Sequence, residues 1–430
     1  MESVLAMILA GGQGKRMGIL CRNRAKPSLP FAGNTRVIDF TLSNCIYSKL
    51  SEIAILTDYQ RSNIATYLQS WFLMNGNSGK ITVLEPRDGS YLGTADVVYQ
   101  NLEYVQAHGD DLVLILAGDH IYKMEYQKML AFHRQTRADA TVAVIPIPLE
   151  QANRFGIVAT DSDERILDFE EKPELPQGNL ASMGIYVFNK QLLIERLIED
   201  AEIHNSPHDF GHSILPSMLN RDKLFAYRFA SYWRDIGNPQ AYYEANMELL
   251  MPKPSFSLDG TRPVLSVFNH LPQPRRSQHG SIENSLISPG CVIKGRVENS
   301  ILSPGVWVEE KAEVRNSIVM ANSFIGYHSV VDHCILDEGV NVGKFCYLGF
   351  EGEMAVNGCT AIPDTGRLTV LGEGATVPPL TAICRNCKIL PNVRPDDFTG
   401  KVVSPNSVIS PRHETDQLQT NMKGVLANVS

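Results

Sequence analysis

The 430-residue sequence has no excess of positive charge: 39 Lys and Arg stand against 47 Asp and Glu, a formal net charge of −8. That balance excludes general affinity for nucleic acid or anionic membranes, so an anionic ligand would need a local cationic pocket. No apolar run approaches the roughly 18 residues that a membrane span requires. The opening MESVLAMILAGG carries Glu2 where a secretion signal would carry positive charge and reads as a buried strand, so the expected compartment is the cytoplasm. The eight cysteines are scattered. Only Cys384 and Cys387 form a CxxC, and no second pair or nearby histidine completes a zinc site; buried, reduced thiols are expected. GxSxG is missing, as is any Ser–His or Cys–His pairing that would mark a nucleophile.

What is present divides into two halves. The length favours two or three domains, and 43% hydrophobic with 20% charged residues is a globular composition. Up to about residue 250, the apolar runs VLAMILAG, EIAILTD, ITVLEP, DLVLILAGD and ATVAVIPIP read as buried strands. Between them RVIDFTLSNCIYSKL, SNIATYLQSWFL, TADVVYQNLEYVQ and EYQKMLAFHRQTR carry apolar residues at helical spacing. This alternation predicts an α/β domain, Rossmann-like, with a mostly parallel sheet covered on both faces and ligands beyond the carboxyl ends of its strands.

A proline-rich connector, 251–280, follows. Then a repeat begins: NSLISPGCVI at Asn284, NSILSPGVWV at Asn299, NSIVMANSFI at Asn316 and HCILDEGVNV at His333, with starts 15, 17 and 17 residues apart. Aliphatics about every sixth residue and small residues at turns predict a parallel β-helix over 281–412. The stretch 413–430 has little core to offer and reads as a loose tail.

Chemistry concentrates at strand ends. In AGGQGKR, the glycines Gly11, Gly12 and Gly14 let backbone N–H groups approach a phosphate, with Lys15 and Arg16 behind them. This is neither GxGxxG nor a P-loop, which needs Ser or Thr after its GK. RAKPSLPFAG adds Arg24 and Lys26. In LAGDHIY, Asp119 stands where a strand should enter the ligand crevice, and it suits either a hard metal ion such as magnesium or a helix N-cap. Asp235 of YWRDIG offers a second carboxylate or a cap. DFEEKP places Glu171 and Lys172 at a strand end, where they could take sugar hydroxyls and a phosphate, and ASMGIYVF places Ser182 before a buried strand. His204, His208 and His212 are spaced by four, but Pro207 interrupts the helical face a metal site would need. Backbone donors, cations and carboxylates without a nucleophile suit phosphoryl or nucleotidyl transfer.

LAGGQGKRM, RAKPSLPFAG, VIDFTLSN, YLGTADVVYQN, LAGDHIYKMEY, FEEKP, ASMGIYVF and YWRDIG, in that order, together resemble the bacterial glucose-1-phosphate adenylyltransferases. The resemblance spans the chain and implies a left-handed β-helix after the catalytic domain, ATP and glucose 1-phosphate as substrates, magnesium, and a homotetramer. It implies that Gly11, Gly12 and Gly14 wrap the triphosphate while Arg16 and Lys26 neutralise the leaving pyrophosphate. Tyr91, Gly93, Thr94 and Ala95 would line the nucleotide side. Lys172 would bind the sugar phosphate, with Glu171, Ser182 and Gly156 on the hydroxyl face, and Asp119 with Asp235 would hold the metal. Some enteric-type relatives carry an activator-linked lysine where this chain has Asn23. Rival readings are a catalytically weak regulatory subunit, a pyrophosphorylase for another nucleotide or sugar, and an acyltransferase using His328 or His333.

Overall fold

The computed structural model describes residues 4–412 except 59–60, 76–78, 88, 268–271 and 351–367, with side chains undescribed at 61–63. The expected loose tail, 413–430, lies outside the described residues.

Four of the apolar runs become parallel neighbours in the order Lys80–Leu84, Glu52–Leu56, Val4–Leu9, Leu112–Ala117. Beyond Leu112–Ala117 the sheet turns mixed: Leu180–Asn189 runs antiparallel to it, and Ala140–Pro146 antiparallel to that. The inner strands are near-continuous Val, Ile, Leu and Ala because both faces are covered. One face packs Leu5, Met7, Val113 and Ile115, and the other Ala6, Ile8, Leu114 and Leu116. The expected helices form at Val37–Tyr47, Arg61–Asn75 and Tyr126–Thr136, while TADVVYQNLEYVQ breaks into Thr94–Tyr99 and Leu102–Ala107.

The second half is a parallel β-helix with three ladders of short strands, the cross-section of the left-handed, hexapeptide type. Its inward column, Val297, Val314, Val331, Leu348, Ile383 and Val403, is paired rung to rung. The recurring Asn-Ser now has a reason. Asn284, Asn299 and Asn316 turn a corner with φ of 40°, 45° and 45°, a region that asparagine tolerates better than most residues. Their amides hydrogen-bond along the stack, Asn284 to Asn299 at 3.0 Å and Asn299 to Asn316 at 2.7 Å. Just inside, Ser285, Ser300 and Ser317 each accept the N–H of the next rung, at 3.0, 3.1 and 3.1 Å.

The halves share a core. Met17, Leu20 and Phe31 pack with Tyr242 and Tyr243 of helix Pro239–Met247 against Ile318, Met320 and Ile335 of the β-helix. Beside it the buried Arg24 guanidinium meets Asp337 at 2.7 Å and Glu338 at 3.1 Å, and Arg36 meets Glu338 at 3.3 Å. Within the proline-rich stretch, Trp71 donates to the Leu265 carbonyl at 3.2 Å and Leu265 N–H to Ser43 Oγ at 2.9 Å, so this part lies packed on the first domain. Arg275–Arg276 already pairs with Val292–Ile293 as the first rung.

Helix Val37–Tyr47 begins around a buried carboxyl group. Asp39 accepts the Arg36 N–H at 2.8 Å and the Tyr67 hydroxyl at 2.7 Å. Burial, only partly offset by these donors, pushes its pKa up to about 7. An unfolded aspartate titrates near 3.9. The folded protein therefore keeps a proton that the unfolded chain loses, and the associated stability disappears as pH rises towards 7. Asp39→Asn, which does not titrate, should gain stability relative to the parent between about pH 4 and pH 7, with the difference levelling off above about pH 8. Urea titrations across this range check it; a pH-independent difference would refute it.

Candidate active site

Because Leu9 and Ala117 stand side by side in register, the glycine loop after one strand and Asp119 after the other open at the same sheet edge. Gly118 N–H donates back to the Leu9 carbonyl at 3.1 Å, tying the two exits together. The loop turns at Gly14, whose φ of 62° suits glycine. A Cβ there would stand 3.1 Å from the Cβ of Lys26. Lys26, set by the short turn Lys26–Ser28, closes back on the loop through its N–H to the Gly12 carbonyl, 3.4 Å.

Lys26 joins the acids. Its buried ammonium lies 2.9 Å from Asp119 Oδ2 and 3.0 Å from Asp235 Oδ1. Asp235 arrives through a two-strand ribbon, His120–Tyr122 against Trp233–Asp235, in which it pairs with His120. Neither acid caps a helix: the following helix Pro239–Met247 takes Asn238 as its N-cap. Burial opposes ionisation of both carboxyls, yet Lys26 and His120 outweigh it, holding Asp119 at about 2 and Asp235 below its ordinary range. Arg154 lies 3.6 Å from the other Asp235 oxygen. A Cβ on Gly237 would stand 2.9 Å from that same oxygen and 3.4 Å from the Arg16 guanidinium carbon, so Arg16 borders the cluster.

Cavities of about 300–1,000 Å³ suit small ligands; the one in front of this cluster measures about 580 Å³. Gly11, Gly12, Gly14 and Lys15 form one wall, and Tyr91, Gly93 and Thr94 another. Asp119 lies within it, while Tyr186, Asp209 and Phe210 close the far side. Glu171 ends the strand Ile166–Glu171, and its carboxylate lies over Gly156 and Gly211, where added Cβ atoms would be 2.7 and 2.4 Å away. Lys172 turns at φ 49° and pairs with Glu171. Ser182 is buried; its Oγ accepts the Gly184 N–H at 3.3 Å and lies 3.5 Å from the Tyr186 hydroxyl.

The two ends of the cavity are joined. Thr94 donates its hydroxyl proton to Asp209 at 2.7 Å and accepts the Phe210 N–H at 3.0 Å. Ala95 and Asp96 N–H groups both donate to the His208 carbonyl, at 2.9 and 3.1 Å. The Ala95 N–H is thus spent within the protein. Sequence reading missed Asp209, Arg154, Tyr186 and Asp58. Asp58 was visible as an acid closing EIAILTD, the signal that found Asp119; it lines the cavity and accepts the Tyr91 N–H at 3.4 Å. Asp209 follows no strand end and stands in an irregular stretch, so no local pattern marks it. His208 bonds Asp200 at 2.8 Å, and no three metal-binding side chains gather among the described residues. Cys384 and Cys387 are buried free thiols. His328 stacks on Phe345, and His333 lies against Tyr243 at the domain junction.

Residues 5–251 match the nucleotidyl transferase family, and residues 270–366 match the GlmU-like C-terminal hexapeptide family. A glucose-1-phosphate adenylyltransferase of Acetivibrio thermocellus is 41% identical over 424 residues, 95% of this chain and 98% of the relative. Another, from Thermomicrobium roseum, is 42% identical over 421 residues, 96% and 98% of the two chains. The chain belongs to the glucose-1-phosphate adenylyltransferase family. Membership makes it a nucleotidyltransferase, a family that generally uses a divalent metal.

Gly93 makes the joint between the walls possible: a Cβ there would stand 2.3 Å from the His208 carbonyl oxygen and 2.4 Å from that of Pro207. Both are backbone atoms that cannot swing aside. Gly93→Ala should therefore cost about 1–3 kcal/mol by overpacking. It should also raise amide exchange across 206–214. Unchanged exchange there, with unchanged stability, would show that the contact is dispensable.

Proposed function

We propose that the chain transfers the adenylyl group of ATP to α-D-glucose 1-phosphate, releasing pyrophosphate and ADP-glucose for glycogen or α-glucan synthesis. The observation that carries this reading is the Lys26–Asp119–Asp235 cluster beneath a glycine loop, in a chain whose relatives bear that name. In the reaction a phosphate oxygen of the sugar attacks the α-phosphorus, the bond to the β-phosphate oxygen breaks, and its electron pair leaves with pyrophosphate. The obstacle is repulsion. Two unit like charges ~4 Å apart cost about 1 kcal/mol in water and about 4 kcal/mol at a protein-like dielectric, and each substrate carries more than one charge.

The chain's own groups address this. Gly11, Gly12 and Gly14 present backbone to the triphosphate, and Lys15 and Arg16 add positive charge. Lys26 has its charge balanced by two carboxylates while no anion is bound, and an arriving triphosphate offers it a stronger partner. Asp119 and Asp235 are then left as two ionised oxygen ligands. Two carboxylates as hard oxygen donors would fit magnesium, which keeps several waters and accepts phosphate oxygens. When bound, magnesium would supply charge neutralisation at the phosphates. Tyr91, Gly93 and Thr94 would face the nucleotide. Lys172 would release Glu171 to take the sugar phosphate, leaving Glu171 with Ser182, over Gly156, for the hydroxyls.

We assign transfer to residues 1–250, the connector to 251–280, whose strand Arg275–Arg276 already stacks on the β-helix, and assembly or regulation to 281–412. A cytoplasmic homotetramer is the proposed state. The exposed Phe345 and Leu380 on the β-helix and the buried free cysteines support it. Among the described residues no helix is long and apolar enough to cross a membrane.

Asp119→Asn should lower kcat about 100-fold or more, as loss of transition-state charge stabilisation does, with the sugar-phosphate KM within about threefold. Lys172→Ala should raise that KM about tenfold with kcat little changed. Steady-state kinetics of pyrophosphate release read both, and an exchange of the two effects would overturn the assignment.

A further inference from the structure

Asp235 stands between two cations. Lys26 faces its Oδ1 at 3.0 Å, and the Arg154 guanidinium faces its Oδ2 at 3.6 Å. The second contact is too long for a hydrogen bond. Where this chain uses arginine as a structural bridge, the geometry differs: Arg196 grips Asp222 with two hydrogen bonds of 2.8 and 2.9 Å, and Arg24 meets Asp337 at 2.7 Å. The Arg154 guanidinium makes no hydrogen bond among the described residues, and its side chain is 33% exposed. Its N–H donors, set in a planar fork, are therefore available to a ligand.

The guanidinium is nonetheless held in place. It lies over the Phe155 ring, 5.6 Å from its centre; Phe155 stands edge-on to Trp233 at 5.4 Å, and Trp233 to His120 at 5.1 Å. Trp233 and His120 belong to the ribbon that carries Asp235, so Arg154 is shelved on the same body as the carboxylate it faces. The backbone ties it to the other side as well. Arg154 ends the turn Leu149–Arg154, and the next carbonyl, that of Phe155, accepts the Lys172 N–H at 3.0 Å. Gly156, one residue on, lies under the Glu171 carboxylate. Residues 154–156 thus run from the carboxylate pair to the residues assigned to the sugar phosphate.

In-line transfer puts the attacking and leaving oxygens on opposite sides of the α-phosphorus. Lys26 closes on the glycine loop at one oxygen of Asp235, and Arg154 stands at the other. Lys172 alone orients an attacking phosphate poorly, because its ammonium is a point charge on a half-exposed side chain that Glu171 engages. We propose that Arg154 binds the phosphate of the incoming sugar phosphate, its fork fixing two phosphate oxygens so that the third points at the α-phosphorus. This rests on the reaction proposed above and adds to it the residue that aims the nucleophile. The guanidinium stays charged throughout: the phosphate oxygen supplies the electron pair of the new bond, and pyrophosphate leaves with that of the broken one.

Arg154→Met and Arg154→Lys test this in the full chain. With magnesium and the unreactive α,β-methylene analogue of ATP present, calorimetry should show glucose 1-phosphate bound about tenfold more weakly by Arg154→Met than by the parent, the loss of a charge-assisted contact. Arg154→Lys should recover that affinity to within about threefold, yet its kcat should stay about tenfold below the parent's, since an ammonium returns the charge without the fork. The KM for MgATP should stay within about threefold in both. Mn²⁺ binding without nucleotide, read by electron paramagnetic resonance, should be no weaker in Arg154→Met; weaker binding would mean that the residue acts only through Asp235, and the proposal would fall. Equal glucose 1-phosphate affinity in Arg154→Met and the parent, or an effect confined to MgATP, would also overturn it. Full recovery of kcat by Arg154→Lys would overturn the orienting role. The reaction and the subsite fail separately. Pyrophosphate release untouched by Arg154→Met would keep the reaction and remove the subsite. Sugar-phosphate binding that depends on Arg154, in a chain that releases no pyrophosphate, would remove the reaction and keep the subsite.

Discussion

One ammonium shared by two carboxylates organises the catalytic half. Lys26 is buried, so its charge persists only because Asp119 and Asp235 stand within 3.0 Å of it. The acids in turn remain ionised only because Lys26, with His120, outweighs their burial. Removing any member leaves a buried charge uncompensated, which is far costlier than never having placed it there. The surrounding structure follows from that requirement. Strand register brings the glycine loop level with Asp119, the ribbon delivers Asp235, and Gly14 leaves room for Lys26 to close against the loop.

The β-helix adds to the same constraint from the other side. Arg24, two residues before Lys26, is held by Asp337 and Glu338 of the repeat domain, and Asn23 reaches Glu373 at 3.3 Å. The segment that carries the catalytic lysine is thus pinned by the second domain. The connector, packed along the first domain through Leu265 and Tyr47, touches the ribbon from behind.

Much of this was legible in the residues. Strands buried on both faces must be apolar along their whole length, so VLAMILAG and DLVLILAGD declare themselves, and an acid or glycine run at their ends marks the crevice. The Asn-Ser repeat was legible because each rung must solve the same corner. The joint between Thr94 and Asp209 was not, because a hydrogen bond across 115 residues leaves no local pattern. The Arg24–Asp337 pair, 313 residues apart, leaves no local pattern for the same reason. The evenly spaced histidines were rightly set aside on Pro207, since spacing signals a shared face only in a helix, and the segment 203–209 turns instead. The break of TADVVYQNLEYVQ into two helices likewise depends on Asn101, whose side chain bonds the Val97 carbonyl at 2.8 Å.

We propose that Asp119 and Asp235, both paired with Lys26, would hold a divalent ion once Lys26 turns to a bound triphosphate. Binding of Mn²⁺ as a spectroscopic stand-in for magnesium, read by electron paramagnetic resonance without nucleotide, tests it directly. Lys26→Met should bind Mn²⁺ about tenfold more tightly than the parent, a difference of about 1.4 kcal/mol, because nothing then competes for Asp119 and Asp235. Lys26→Met combined with Asp119→Asn should lose the gain. Equal or weaker binding by Lys26→Met would contradict the claim and leave the lysine as a purely structural bridge.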